Sequence, residues 1–277
     1  LAQEFDHLPP LRDVIADHNL SAQKQLGQNF LLDLNLTGRI ARTAGDLSQT
    51  TVIEVGPGPG GLTRAILAQG VKRVVAVERD RRCIEALNAY LCPAYVGKLD
   101  IIEGDALKQD FEALAPAPRR VMANLPYNIA TPLLIGWLKR AEAFEGFTLM
   151  FQKEVADRIV AKPRTKAYGR LSIMCQWLCA VRVEFNIDKR AFTPPPKVQS
   201  TVVTLTPWPE PLAPASWNAM ERVVATAFGQ RRKMLRQSLK SLALNPADVG
   251  LNETARAEEL SVHDFAKLAR LFEAQKS

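Results

Sequence analysis

Between residues 50 and 151, short β-branched runs alternate with stretches whose apolar positions recur at helical spacing. The runs at 51–55 (TVIEV), 74–78 (VVAVE), 99–103 (LDIIE), 120–124 (RVMAN) and 147–151 (FTLMF) read as strands. The stretches at 62–69, 81–90 and 131–140 read as helices, the last with Pro132 in its first turn. Strands separated by helices of this length imply a parallel sheet with helices on both faces. Two further strands, 181–187 and 198–206, flank the turn-rich AFTPPPK and are expected to form an antiparallel edge. Pro207, Pro209, Pro211 and Pro214 then shift the composition toward a linker, and helices are expected at 217–228, 232–242 and 262–273. The expected architecture is α/β over residues 1–207, followed by a small all-helical domain over 208–277. Residues 11–18 read as one more short helix, and no internal repeat is visible.

Composition narrows the function without naming it. A chain of 277 residues that is 47% hydrophobic suits a medium domain plus a smaller one. No apolar run approaches the length of a membrane span, and the first residues lack a basic-then-apolar signal pattern, so the expected location is cytoplasmic. Cys83, Cys92, Cys175 and Cys179 form no CxxC pair, and His7, His18 and His263 are scattered. A metal site and a Ser-His-Asp arrangement are therefore not expected. Nothing signals dimerisation, and a monomer is expected. The formal charge of +7 favours a polyanionic partner.

The first strand runs into Gly56-Pro57-Gly58-Pro59-Gly60-Gly61 and then a helix. Glycines there let the backbone approach a ligand where a Cβ would clash. In open α/β sheets that ligand sits beyond the carboxyl ends of the strands. Glu78 ends the second strand, where an acid can accept both ribose hydroxyl hydrogens. Asp105 follows the third strand, where it can accept from an adenine amino group; as an isolated residue it would read as a helix cap. The spacing Gly56-x-Gly58-x-x-Gly61 also fits the dinucleotide fingerprint, so a nicotinamide-dependent dehydrogenase is a rival reading. Glu54 before the loop, giving E-x-G-x-G, resembles the first motif of class I methyltransferases.

The fourth strand ends in Asn124-Leu125-Pro126-Tyr127. Adenine N6 is a poor nucleophile because its lone pair is delocalised into the ring. A side-chain carbonyl on Asn124 and a backbone carbonyl near Leu125 or Pro126 can each accept an N6 hydrogen, which turns the lone pair toward an electrophile. Pro126 stiffens the turn, and Tyr127 offers a ring face for stacking. Methyl transfer from a sulfonium needs no metal and no strong base, so positioning and electrostatics carry it.

These residues resemble the ribosomal RNA adenine dimethyltransferase family. Matching segments include Gly27-Gln28-Asn29-Phe30-Leu31, Gly104-Asp105-Ala106, Asn124-Leu125-Pro126-Tyr127-Asn128-Ile129, Tyr168-Gly169-Arg170-Leu171-Ser172, Phe192-x-Pro194-x-Pro196-Lys197-Val198 and Gln230-Arg231-Arg232-Lys233. The resemblance implies a Rossmann-like class I methyltransferase sheet that binds S-adenosylmethionine through Asn29, Leu31, Gly56, Glu78, Asp105 and Asn124. It implies that Tyr127 and Phe192 sandwich the target adenine; without it, Phe192 would read as a loop anchor packed on the core. The implied substrate is a pair of adjacent adenosines in the 3′-terminal hairpin of small-subunit rRNA in an immature subunit. The alternative is large-subunit rRNA methylation of the macrolide-resistance type. A ribosome-assembly factor with dispensable catalysis is a third reading. Residues 1–20 precede the usual start of the family and read as an extension.

Two basic clusters are candidate RNA contacts: Lys153, Arg158, Lys162, Arg164, Lys166 and Arg170, and the run Arg231, Arg232, Lys233 and Arg236, continued by Lys240.

Overall fold

The computed structural model describes residues 8–23, 26–230 and 232–275. Its strands are β1 (Phe30–Leu31), β2 (Thr51–Val55), β3 (Arg73–Glu78), β4 (Leu99–Glu103), β5 (Arg119–Asn124), β6 (Gly146–Gln152), β7 (Cys179–Ile187), β8 (Phe192–Thr193) and β9 (Ser200–Pro207). Its α-helices are α1 (Leu11–Asp17), α2 (Leu34–Arg42), α3 (Gly61–Ala68), α4 (Arg81–Tyr90), α5 (Phe111–Leu114), α6 (Tyr127–Leu138), α7 (Lys153–Val160), α8 (Arg170–Leu178), α9 (Trp217–Gly229), α10 (Leu235–Ser238) and α11 (Val262–Ala274).

The main sheet has seven strands in the order β4-β3-β2-β5-β6-β9-β7. The first five are parallel, with Val52 opposite Val74 on one side and Arg120 on the other. At the edge, Thr201 donates to Asn186 and Thr204 to Glu184, so partner numbers fall as β9 advances and β9 runs antiparallel to β7. The sheet is the mostly parallel one with an antiparallel edge that the pattern implies. β2, β3 and β6 are buried along nearly their whole length, which is why their sequences read as continuous apolar runs. A separate antiparallel pair joins β1 to β8, with Leu31 opposite Phe192.

Two compact units divide the chain: residues up to Lys153 with Val183–Thr204, and Glu154–Arg182 with Leu205 onward. Residues 154–182, which the proline boundary near 207 assigns to the first domain, thus pack with the helical part. In this second unit α9 buries Met220, Val223, Val224 and Ala227, and α11 buries Phe265, Ala266, Leu268, Ala269 and Phe272, both at helical spacing. The Tyr168 hydroxyl donates to the Leu260 carbonyl and the Trp177 indole to that of Ala213, so the polar tips of buried rings are satisfied.

Several elements differ from the pattern, α2 and α8 among them, and three show why. α6 begins at Tyr127, not 131, so Pro132 lies inside it and brings no N–H to the turn before. The helix begins directly after Pro126, its N-cap. Residues 232–242 are not one helix: the N–H groups of Leu235 and Arg236 donate to Ala255 and Glu253, holding the chain extended before the short α10. α7 occupies a stretch that reads only as a charge cluster, because Ala156 and Ile159 alone are buried among its charged residues.

Candidate active site

The carboxyl ends of β2, β3, β4 and β5 share one rim, where the strand order reverses between β2 and β5. A pocket opens there, lined by the glycine loop, Glu54, Glu78, Asp105, Leu107, residues 124–129 and residues 26–31. Gly58 holds φ +55, and a Cβ on it would stand 3.1 Å from the Phe30 ring. Gly61 has ordinary backbone angles, but any side chain would collide with the Leu31 carbonyl. The loop is glycine-rich so that β1 can close over it. Gly56 completes the turn by donating its N–H to Val77 at 2.9 Å.

The acids of the rim are held by backbone donors. Glu78 Oε2 accepts from Gly58 at 3.1 Å, and Oε1 accepts from Arg79 and Asp80 at 2.7 and 2.8 Å. Burial pushes its pKa above the usual glutamate range, and the three N–H groups counter only part of this. Asp105 Oδ1 accepts from Leu107 N at 3.0 Å, so it caps the following turn and lines the pocket at once. Glu54 is 1% exposed, and its Oε2 has no hydrogen-bond partner among the described residues. Burial, relieved in part by Thr63 and deepened by the charge of Glu78, pushes its pKa up to about 8. An orphaned buried acceptor on a pocket wall calls for a donor from outside the chain.

At the end of β5, the Asn124 amide nitrogen donates to the Asn29 carbonyl at 2.9 Å. That bond fixes the amide's orientation and leaves Oδ1 as its acceptor. Leu125 is buried, and Pro126 directs the chain into α6. Tyr127 is half-buried, and its hydroxyl shares a 2.7 Å hydrogen bond with Ser200 of β9. Burial raises its pKa, so the phenol is neutral at physiological pH. Leu31 lines the pocket beside Asn29. Phe192 is not brought there: its ring is 2% exposed and packs in the core cluster that includes Leu31 and Val202.

The ribosomal RNA adenine dimethylase family model matches residues 19–274. The chain belongs to the ribosomal RNA adenine dimethylase family. It is 62% identical over 275 residues to ribosomal RNA small subunit methyltransferase A of Rhodospirillum rubrum, covering 98% of this chain and 95% of that one. It is 60% identical to the protein of the same name from Paramagnetospirillum magneticum, covering 97% and 96%. Among solved structures, a dimethyladenosine transferase from Plasmodium falciparum superposes with TM-score 0.77 at 26% identity, covering 89% of this chain and 98% of that one. The 23S rRNA methyltransferase ErmE superposes with TM-score 0.63 at 26% identity, covering 88% and 100%.

As a member of the adenine dimethylase family, the chain is an rRNA methyltransferase with a Rossmann-like fold. Of the basic residues expected to meet RNA, Arg232, Lys233 and Arg236 are exposed in the second unit, and Arg236 is paired with Glu253 at 3.2 Å. Arg231 lies outside the described residues. In the first cluster Arg158, Lys162, Arg164, Lys166 and Arg170 are exposed, with Arg158 paired to Glu154. Among the described residues no group of His, Cys, Asp and Glu could hold a metal ion, and no helix is long and apolar enough to cross a membrane. Sequence reasoning passed over Gln28, Asp80 and Ser200. Gln28 lies within the Gly27–Leu31 motif, while Asp80 and Ser200 carry no local signal.

Proposed function

We propose that this chain transfers methyl groups from S-adenosylmethionine to N6 of two adjacent adenosines in the 3′-terminal hairpin of small-subunit rRNA, acting as a cytoplasmic monomer on an immature ribosomal subunit. The observation that carries this reading is the Asn124 amide, turned by Asn29 so that its carbonyl is the free acceptor on the rim.

The pocket fits the cofactor. Glu78 would take a ribose diol, Asp105 would offer its second oxygen to an adenine amino group, and Gly56 would let the main chain come close. The orphaned Glu54 oxygen matches the amino-acid ammonium of a cationic ligand. Asn29 and Leu31 close the near side. When bound, S-adenosylmethionine would supply an electrophilic methyl, its sulfonium becoming a neutral thioether as the C–S bond breaks. The chain's own contribution is to orient the nucleophile. Asn124 Oδ1 and a carbonyl of Leu125 or Pro126 accept the N6 hydrogens, one of which is lost to solvent as a proton once the methyl is on nitrogen, and the Tyr127 ring supports the flipped base. Phe192 holds the following loop from within the core. Arg231, Arg232, Lys233 and Arg236 would grip phosphates around the hairpin.

Mass spectrometry of the 3′-terminal rRNA fragment from cells lacking the protein should show two adenosines without N6 methyls. Purified enzyme should then methylate small subunits from those cells and leave large subunits untouched; the reverse would establish the alternative reading of large-subunit methylation. S-adenosylmethionine should raise the melting temperature, and a nicotinamide dinucleotide should not. Asn124→Ala should bind the subunit normally and lose about a hundredfold in kcat. An Asn124→Ala enzyme with unchanged kcat would remove the site assignment.

A further inference from the structure

Described residues 8–18 precede the stretch that matches the family, yet they are packed against the back of the pocket. α1 buries Leu11 and Val14, and Leu11 reaches the glycine loop, 3.3 Å from where a Cβ on Gly61 would stand. Val14 and Leu20 share a buried cluster with Cys83 and Ala86 of α4.

Two arginines fasten this segment by its backbone carbonyls. Arg64 of α3 is 1% exposed, donates from Nη1 to Pro9 at 2.7 Å, and lies 4.7 Å from the Tyr90 ring centre. The Tyr90 hydroxyl donates to the Pro59 carbonyl within the glycine loop. Arg82 of α4 donates to the Asn19 and Ser21 carbonyls at 3.2 and 3.3 Å and engages both oxygens of Asp80. Asp80 leads back into the pocket. Its Oδ2 accepts from Gln28 Nε2 at 2.9 Å, and its N–H is one of the donors that hold Glu78. Gln28 lines the pocket, and its neighbour Asn29 holds the Asn124 amide.

We infer that residues 9–21 brace the cofactor pocket, with Arg82 and Asp80 as positioning residues that lock Gln28 and Asn29 between Glu78 and Asn124. The inference rests on reading the pocket as the S-adenosylmethionine site. A planar guanidinium suits the task because it can fork between two carbonyls and a carboxylate at once, which a lysine cannot. An ion pair at a surface contributes little, but Asp80 is only 7% exposed. Burial raises its pKa; the donors on Arg82 and Gln28 outweigh that, so the carboxylate stays charged. Removing its partners leaves a buried charge unpaired and frees the segment carrying Gln28.

The test is binding of S-adenosylhomocysteine by calorimetry to wild type, Arg82→Ala, Gln28→Ala and the double variant. The Arg82 side chain is 30% exposed, so its loss should spare the fold, checked by circular dichroism. Each single change should raise Kd about tenfold, and the double should be no worse than the larger single by more than about twofold, since both cut one chain of contacts. Hydrogen exchange in the ligand-free enzyme should quicken at residues 28–31 in Arg82→Ala. A role confined to stability would lower the melting temperature, leave Kd within about twofold of wild type and leave exchange at 28–31 unchanged; that result, or multiplying Kd effects, overturns the brace. Wild type that fails to bind S-adenosylhomocysteine overturns the pocket reading instead, and the exchange measurement then decides the brace by itself.

Discussion

On the β3–β4 side of the pocket, acids are held by backbone N–H groups, most of them at the same strand end: Glu78 by Arg79 and Asp80 and, 20 residues back, by Gly58, and Asp105 by Leu107. On the β5 side, Asn124 depends on one carbonyl 95 residues away, and Tyr127 on one hydroxyl 73 residues away. The two acids of the cofactor half are therefore held mainly by the loops at their strand ends, and the long-range contacts there come through Gln28 and Arg82 around them. The base half is assembled by tertiary contacts, and its second aromatic ring, Phe192, is packed in the core. The ordering cost of the first half is met on folding, whereas the second relies on a few long-range bonds. Changes in the base half should then alter catalysis and leave cofactor affinity intact.

Phe192 gives the largest test of that contrast. Phe192→Ala should cost about 3–5 kcal/mol of stability in denaturant unfolding, as for other buried aromatics. Phe192→Leu should keep stability within about 1.5 kcal/mol and kcat within a few-fold. A Leu variant that folds normally but loses more than about tenfold in kcat would show that the ring leaves the core to hold the base, as the family resemblance implies.

The rim was legible because each of β2, β3, β4 and β5 is a short apolar run that stops at a glycine, a charge or an Asn-Leu-Pro turn. Strand ends are where periodicity breaks, and the topology of alternating elements puts those ends together. What reaches the rim from afar was not legible. The Asn29 carbonyl and the Ser200 hydroxyl act through one atom each, and no spacing rule links them to Asn124 or Tyr127. The start of α6 differs because Pro132 is a plausible first-turn residue, whereas the helix begins directly after its N-cap Pro126. α7 was hidden because its charged residues outweigh a narrow buried stripe.

Glu54 is the acid of the cofactor half with a buried oxygen that lacks a partner among the described residues, and pH should reveal it. Its ordinary value is 4.5 and its folded value about 8, so the folded chain keeps a proton that the unfolded chain gives up within that window. The ionisation cost is absent below the unfolded pKa and grows as pH rises toward the folded one, so stability falls across the window. Glu54→Gln cannot ionise. Its stability relative to wild type, measured by denaturant unfolding without cofactor, should improve by roughly 2–3 kcal/mol between pH 5.5 and 8.5. The same variant should bind S-adenosylmethionine more weakly. Parallel pH profiles for the two proteins would mean that the carboxylate is charged and solvated, and the cofactor half would then have no unfilled position.

The smallest effect is the most direct measure of independence between the halves. Tyr127→Phe keeps the ring and removes the hydroxyl, leaving Ser200, which is 0% exposed, without that partner. The loss of one buried hydrogen bond should cost about 1 kcal/mol of stability. The ring can then tilt, so kcat should fall a few-fold, with Ser200→Ala giving the same loss and the double variant no more, because both remove one interaction. The cofactor Kd should not move, since no backbone donor to Glu78 or Asp105 is touched. If Tyr127→Phe weakens cofactor binding as much as it slows methyl transfer, the halves share one support, and α6 rather than the local loops would be what organises the whole rim.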